Sequence, residues 1–157
     1  MRTRQRRPEG QATDRPSKAG GRPVLLATLD VPFDADAVSF AVDSAVEAGQ
    51  RLIVANFVER APLPLSAMLG YDDLPAPPAL EQSLLRPAEL ARSLGVEVTR
   101  LRVRSFDPIP AMLEVVHEEG AGILVFGPDR SRIGRLRYRR AARAIRSGTT
   151  VLVWLAQ

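Results

Sequence analysis

The sequence predicts an α/β fold in a single domain: a five-stranded parallel sheet with helices on both faces. Two observations carry this expectation. Strand-like and helix-like segments alternate from Pro23 to Leu155, as they do where parallel strands are joined by crossover helices. The strand-like runs are also nearly continuously apolar, as in Pro23-Val-Leu-Leu-Ala-Thr-Leu29 and Ile123-Leu-Val-Phe126. A strand that buries one face alternates; one buried on both faces does not. The chain has 157 residues, enough for one domain with a sizeable core.

Pro23 to Leu29 forms the first strand, ending at Asp30. Asp34 to Gly49 reads as a helix. Asp34 supplies an N-cap oxygen, Ala37, Phe40, Ala41, Ser44 and Ala45 lie along one face, and Gly49 stops it. Arg51 to Val58 is the second strand. Residues 59–78 carry five prolines and make a connection too long to be a simple turn. Ala79 to Leu94 is helical, with Pro87 opening a second section, since proline interrupts a helix interior. Val96 to Val103 is the third strand. Asp107-Pro108 opens another helix, aspartate as cap and proline in the first turn. Its buried face is Ile109, Met112, Leu113 and Val116, and Gly120 ends it. Ala121 to Phe126 is the fourth strand. The last helix runs from about Leu136 to Arg146, with Tyr138, Ala141, Ala142 and Ile145 as its apolar stripe. Thr149 to Leu155 is the fifth strand.

Composition removes whole classes of chemistry. There is no cysteine, hence no disulfide, thiolate metal site or cysteine nucleophile. His117 is the only histidine and Lys18 the only lysine, so no two-histidine metal motif exists and no lysine follows a glycine loop to bind phosphate. No metal site is expected. Neither a membrane span nor a signal-peptide core is legible, which points to a cytoplasmic protein. The net charge of +4 is uneven: residues 1–22 hold seven basic and two acidic residues, the remainder fifteen and sixteen. Residues 1–22 read as a disordered basic tail, and residues 23–157 as the folded body. The tail is either a solvated extension or an arm for nucleic acid or an acidic surface.

The most distinctive segment is Gly127 to Val153. Eight arginines fall between Arg130 and Arg146, and no acid follows Asp129. In open parallel sheets ligands bind beyond the carboxyl ends of the strands, where the strand order switches. Asp30, the stretch from Phe57 to Glu59, Ser105 and Gly127 fall at those ends. Asp30 could accept hydrogen bonds from a ribose or base, or fix the following turn. Gly127 permits a sharp turn or the close approach of a phosphate to the backbone. Arg130 and Arg132 lie nearest the expected pocket and could clamp an anion. Arg135, Arg139, Arg143 and Arg146 share a helix face, read as lying opposite the tyrosine stripe. His117 sits among Glu114, Glu118 and Glu119 on an exposed face, and no catalytic constellation is evident.

Residues 22–156 resemble the universal stress protein family. RPVLLATLD is similar to that family's first strand with its terminal aspartate, and LIVANFVE to its second. LARSLGVEVT, AMLEVVHEEGAGILVFGPD and TTVLVW resemble its later helix, helix-strand and last-strand segments. The resemblance implies an adenine-nucleotide alpha hydrolase-like fold, strand order 3-2-1-4-5, and a homodimer built on the last strand through Val151, Val153 and Trp154. The family's ATP-binding members carry Gly-x-x-Gly, nine residues, then Gly-Ser or Gly-Thr. Counted from Gly127, those later positions hold Arg130, Arg140 and Ala141; aligned on the last strand, the pair falls on Arg137-Tyr138. Asp30 and Gly127 remain, with Gly134 as a partial substitute. A receiver domain would need a lysine after its fifth strand and a phosphorylatable aspartate at the end of its third, and a related nucleotidyltransferase a histidine-rich turn after its first; here strand five lacks the lysine, strand three leads to Ser105-Phe106, and Val31-Pro-Phe holds no histidine.

The expected function is that of a non-enzymatic regulatory or binding domain in stress response, with binding of ATP or AMP weak or lost. The nucleotide- or anion-binding residues would be Asp30, Phe57, Gly127, Arg130, Arg132 and Gly134. The alternative is an interaction protein that holds an acidic partner or nucleic acid through its arginine-rich helix and tail. A low-turnover ATPase is the third reading.

Overall fold

The computed structural model describes residues 21–60 and 76–157. The expected tail (residues 1–20 of it) and most of the proline-rich connection lie outside the described residues. Five parallel strands form the sheet: β1 (Val24–Thr28), β2 (Leu52–Glu59), β3 (Val98–Ser105), β4 (Ile123–Phe126) and β5 (Leu152–Leu155). Their order is β3-β2-β1-β4-β5. The helices are α1 (Ala35–Ala48), α2 (Pro78–Ser93), α3 (Pro108–Glu118), α4 (Arg130–Ile133) and α5 (Arg135–Gly148).

β1 is central. Val24 pairs with Leu52 on one side and Ile123 on the other, and all five residues of β1 are buried. Successive side chains serve opposite layers, as the strand period of two requires. Leu25, Ala27, Ile53, Ala55, Leu124 and Phe126 meet α3 and α5 through Met112, Val116, Ala141 and Ile145. Val24, Leu26, Leu52, Val54 and Val125 meet α1 and α2 through Ala37, Ala41, Ala88 and Ala91. The helices present mainly alanine on that second side, which lets their backbones approach the sheet closely.

Local chemistry explains most boundaries. Asp34 caps α1 as expected, its Oδ1 accepting the Ala37 N–H at 3.0 Å. Asp107 occupies the N-cap position of α3, but its side chain makes no capping bond; its N–H is bonded to Ser105 Oγ instead, at 3.1 Å. Pro87 does not divide α2. The helix runs through it, with Pro87 buried against the core, so packing outweighs the lost backbone hydrogen bond. α5 runs on to Gly148, past its expected end at Arg146, and the expected strand residues Thr149, Thr150 and Val151 lie between it and β5, which is four residues long. The short helix α4 was not expected. Asp129 starts it by accepting from the Ser131 N–H at 2.9 Å and the Ser131 hydroxyl at 2.6 Å.

Candidate functional site: the strand ends and the arginine groove

With this strand order, the direction of winding switches between β1 and β4, and their carboxyl ends define the expected crevice. Two loops meet there, residues 29–34 after β1 and residues 127–129 after β4. They are joined to each other. The Asp34 N–H donates to the Gly127 carbonyl at 2.9 Å, and the Asp129 N–H donates to the Pro32 carbonyl at 2.8 Å. Phe33 and Pro128 form an antiparallel bridge between these bonds. These backbone groups of the two loops are thus spent on each other.

Gly127 sits in this seam, buried. A Cβ built on it would lie 2.2 Å from the Cβ of Ala37. A glycine is therefore required by the close approach of α1, independent of any phosphate. Gly134 has a different reason. Its φ of 82° lies where side chains are disfavoured, and it supplies the break between α4 and α5. It is exposed.

Asp30 is exposed and also adopts a positive φ, 54°. Asn56 holds it there: the Asp30 N–H donates to Asn56 Oδ1 at 2.8 Å, and Asn56 Nδ2 reaches Asp30 Oδ1 at 3.4 Å. Asn56 is 5% exposed and pairs in register with Thr28. These two are the only buried polar or charged side chains among the described residues. The Thr28 hydroxyl donates to the Val31 carbonyl at 2.8 Å, so both polar residues shape the same loop. The sequence reading missed Asn56; a lone amide within the apolar run Leu-Ile-Val-Ala-Asn-Phe-Val is the signal that marks it. The neighbouring expectation, Phe57, needs correction. Its side chain is fully buried in the α3/α5 layer, where an aromatic at this strand position has to pack, and it offers no surface to a ligand.

The arginines separate into distinct groups. Arg130 lies over the Tyr138 ring, 4.9 Å from its centroid, a cation–π contact. Tyr138 in turn stacks on Phe126 at 5.7 Å, and its hydroxyl donates to the Ala156 carbonyl. Burial pushes the Tyr138 phenol pKa up from 10.0, with the nearby Arg130 and Arg146 charges opposing. Arg132 stays exposed beside Asp129, 3.9 Å away, and Arg137 reaches Glu59 at 3.6 Å. The expected pair Arg130 and Arg132 thus have different partners.

The remaining row has a different setting from the expected one. Arg139, Arg143 and Arg146 do not point away from the tyrosine stripe; they flank it. With β5 they line a groove of about 800 Å³ that includes Tyr138, Val153 and Trp154. β5 pairs only with β4, leaving its outer edge bare among the described residues. Trp154 is anchored by stacking on Phe40 of α1, at 5.3 Å and 14°, while Leu152 is 63% exposed. The structure therefore joins two expectations that the sequence kept apart, the arginine face and the last strand.

The architecture is that of an adenine-nucleotide alpha hydrolase-like α/β domain. A family model described as the universal stress protein family matches residues 21–155, and the chain belongs to that family. No curated protein matches it. Among solved structures it is similar to the universal stress protein UspA from Lactobacillus plantarum, at 14% identity and a TM-score of 0.65, covering 88% of this chain and 100% of that one. A universal stress protein in complex with cAMP is 18% identical, with a TM-score of 0.57 and coverage of 87% and 96%. One from Archaeoglobus fulgidus in complex with dAMP is 15% identical, with a TM-score of 0.58 and coverage of 87% and 98%. No helix among the described residues is long and apolar enough to cross a membrane.

Proposed function

We propose that this chain is a cytoplasmic, non-catalytic binding and regulatory domain of the stress response, in which the family's nucleotide site is reduced or lost. The observation that carries this reading is the seam between the loops after β1 and β4: Phe33 bridged to Pro128, flanked by the Asp34–Gly127 and Asp129–Pro32 hydrogen bonds. Admitting a triphosphate there would break these bonds and leave their groups to be satisfied by the ligand. At the family's glycine positions stand Arg130, the first residue of α4, and Arg140 or Arg137 within α5, which add side-chain bulk beyond the seam. The test is calorimetry with ATP, AMP, cAMP and dAMP, together with nucleotide analysis of the denatured, freshly purified protein. An empty protein without measurable heats is expected; stoichiometric nucleotide would overturn the reading.

The same proposal includes a homodimer through β5. Its support is the bare strand edge, with Val151, Val153, Trp154 and Leu155 half-buried and Leu152 exposed. Unpaired strand edges are prone to pair. A second reading, docking of an acidic partner, draws on Arg139, Arg143 and Arg146, which make no ion pair among the described residues.

A further inference from the structure

We propose that the groove beside β5 becomes, in the dimer, a shared site for a multivalent phosphate anion, and that this anion controls dimerisation. The inference rests on the β5 dimer proposed above.

The geometry follows from how two identical edge strands pair. Antiparallel pairing about a two-fold axis places that axis perpendicular to the sheet. Both copies of α5 then lie on the same face of a continuous sheet, on either side of the axis. The flank of α5 that faces the axis is the one beside β5, which carries Arg139, Arg143 and Arg146. Across the axis stand the partner's Arg139, the partner's Arg143 and the partner's Arg146. Like charges that meet at an interface oppose association. No Asp or Glu side chain follows Asp129, and the ion pairs among the described residues use other arginines. The bare apolar edge favours pairing while the flanking charge opposes it.

A multivalent phosphate removes the conflict. Guanidinium forks pair with phosphate oxygens in two-point contacts, and a chain of phosphates can bridge both rows. Each protomer contributes a groove of about 800 Å³, ample for such an anion. The site is incomplete in one copy, because one row supplies only half of the cationic wall. It is also distinct from the crevice between β1 and β4, lying at the sheet edge two strands away from β1.

The experiment is sedimentation equilibrium of the full chain in chloride buffer, titrated with tripolyphosphate while potassium chloride holds the ionic strength constant. The dimer dissociation constant of the native chain should fall by about tenfold or more as the anion saturates, because it binds the dimer in preference to the monomer. ATP forms a parallel arm. An effect equal to tripolyphosphate assigns recognition to the phosphate chain alone, and a larger one adds the nucleoside; both support the site. The R139Q/R143Q/R146Q variant should dimerise more tightly than the native chain without anion and should ignore tripolyphosphate. Because these side chains are exposed, the variant should keep its fold, checked by circular dichroism. The R139K/R143K/R146K variant keeps the repulsion but loses the forks, and should respond more weakly than the native chain. If native and glutamine chains dimerise equally without anion and neither responds, the shared site is wrong and the dimer stands. If both remain monomeric throughout, the dimer itself fails and the inference with it.

Discussion

Gly127 and Ala37 are in such close apposition that a methyl group on the glycine would lie 2.2 Å from the alanine Cβ. The contact locks the N-terminal end of α1 onto the turn after β4, and the Asp34 N–H bond to the Gly127 carbonyl runs beside it. A glycine at the end of β4 reads from sequence as a phosphate turn. Here packing alone demands it.

Gly127→Ala should therefore destabilise the fold by about 1–3 kcal/mol, the usual cost of forcing a methyl into a packed site. Ala37→Gly in the same chain should recover part of this loss, limited by the roughly 1 kcal/mol helix penalty of glycine. Urea unfolding of both single variants and the double variant measures the coupling. If Gly127→Ala leaves stability unchanged, the seam is looser than the structure shows.

The second prediction concerns Asn56. Its amide both accepts from the Asp30 N–H and donates to the Asp30 carboxylate, holding a non-glycine residue at φ 54°. Asn56→Ala removes both bonds and should cost about 1–3 kcal/mol, the penalty of stranding polar groups. Asn56→Asp keeps an acceptor for the N–H but sets a second carboxylate beside Asp30, so it should not rescue the loss at neutral pH. Thermal unfolding of the pair would decide it; an Asn56→Asp chain as stable as the native one would mean the side chains do not meet.

Much of this fold was legible because the physics was local and repetitive. Continuous apolar runs marked β1, β2 and β4, and the aspartate before Ala35 marked the start of α1. The strand order was not legible from pattern alone; it came with the family resemblance. The failures share one cause, which is that tertiary contacts decided the outcome. Pro87 stays inside α2 because the face that carries it is buried. Thr149 and Thr150 look like strand residues but follow a helix that α3 supports through Leu113 against Gly148. Asp30 and Gly127 were named by their position at strand ends, and they do lie in the loops after β1 and β4, yet the packing reason for Gly127 lies in Ala37, about ninety residues earlier in the chain. The pairing of Phe33 with Pro128 leaves no signature in either segment. Phe57 was placed at a strand end without its face being decided, and the strand period sends it into the core.

The third prediction uses Tyr138. Burial raises its phenol pKa above 10.0 despite Arg130 and Arg146, so the folded state favours the protonated form. The stability this gives is fully present below about pH 10, the pKa of the unfolded chain. It is lost as pH rises through the folded value. Tyr138→Phe removes the hydroxyl bonded to the Ala156 carbonyl and should cost about 1 kcal/mol near neutrality. The variant should also lose less stability than the native chain between about pH 8 and pH 11. Urea midpoints across that range provide the comparison; identical alkaline slopes would show that the phenol does not titrate with unfolding.

The last prediction separates the strand edge from the core. Leu152 is 63% exposed on β5, so it contributes little to the stability of one chain. In a β5 dimer it would be near the pairing edge, where a lysine is among the residues that discourage strand addition. Leu152→Lys should leave the monomer's unfolding free energy within about 0.5 kcal/mol of native and should weaken self-association. Val153 is a different case, half-buried against the α3/α5 layer, and its replacement would confuse folding with pairing. Light scattering of the native chain, with tripolyphosphate present, should give twice the 17.1 kDa chain mass. The Leu152→Lys chain at the same concentration should give the single mass. A lysine variant that remains fully dimeric would move the interface away from β5.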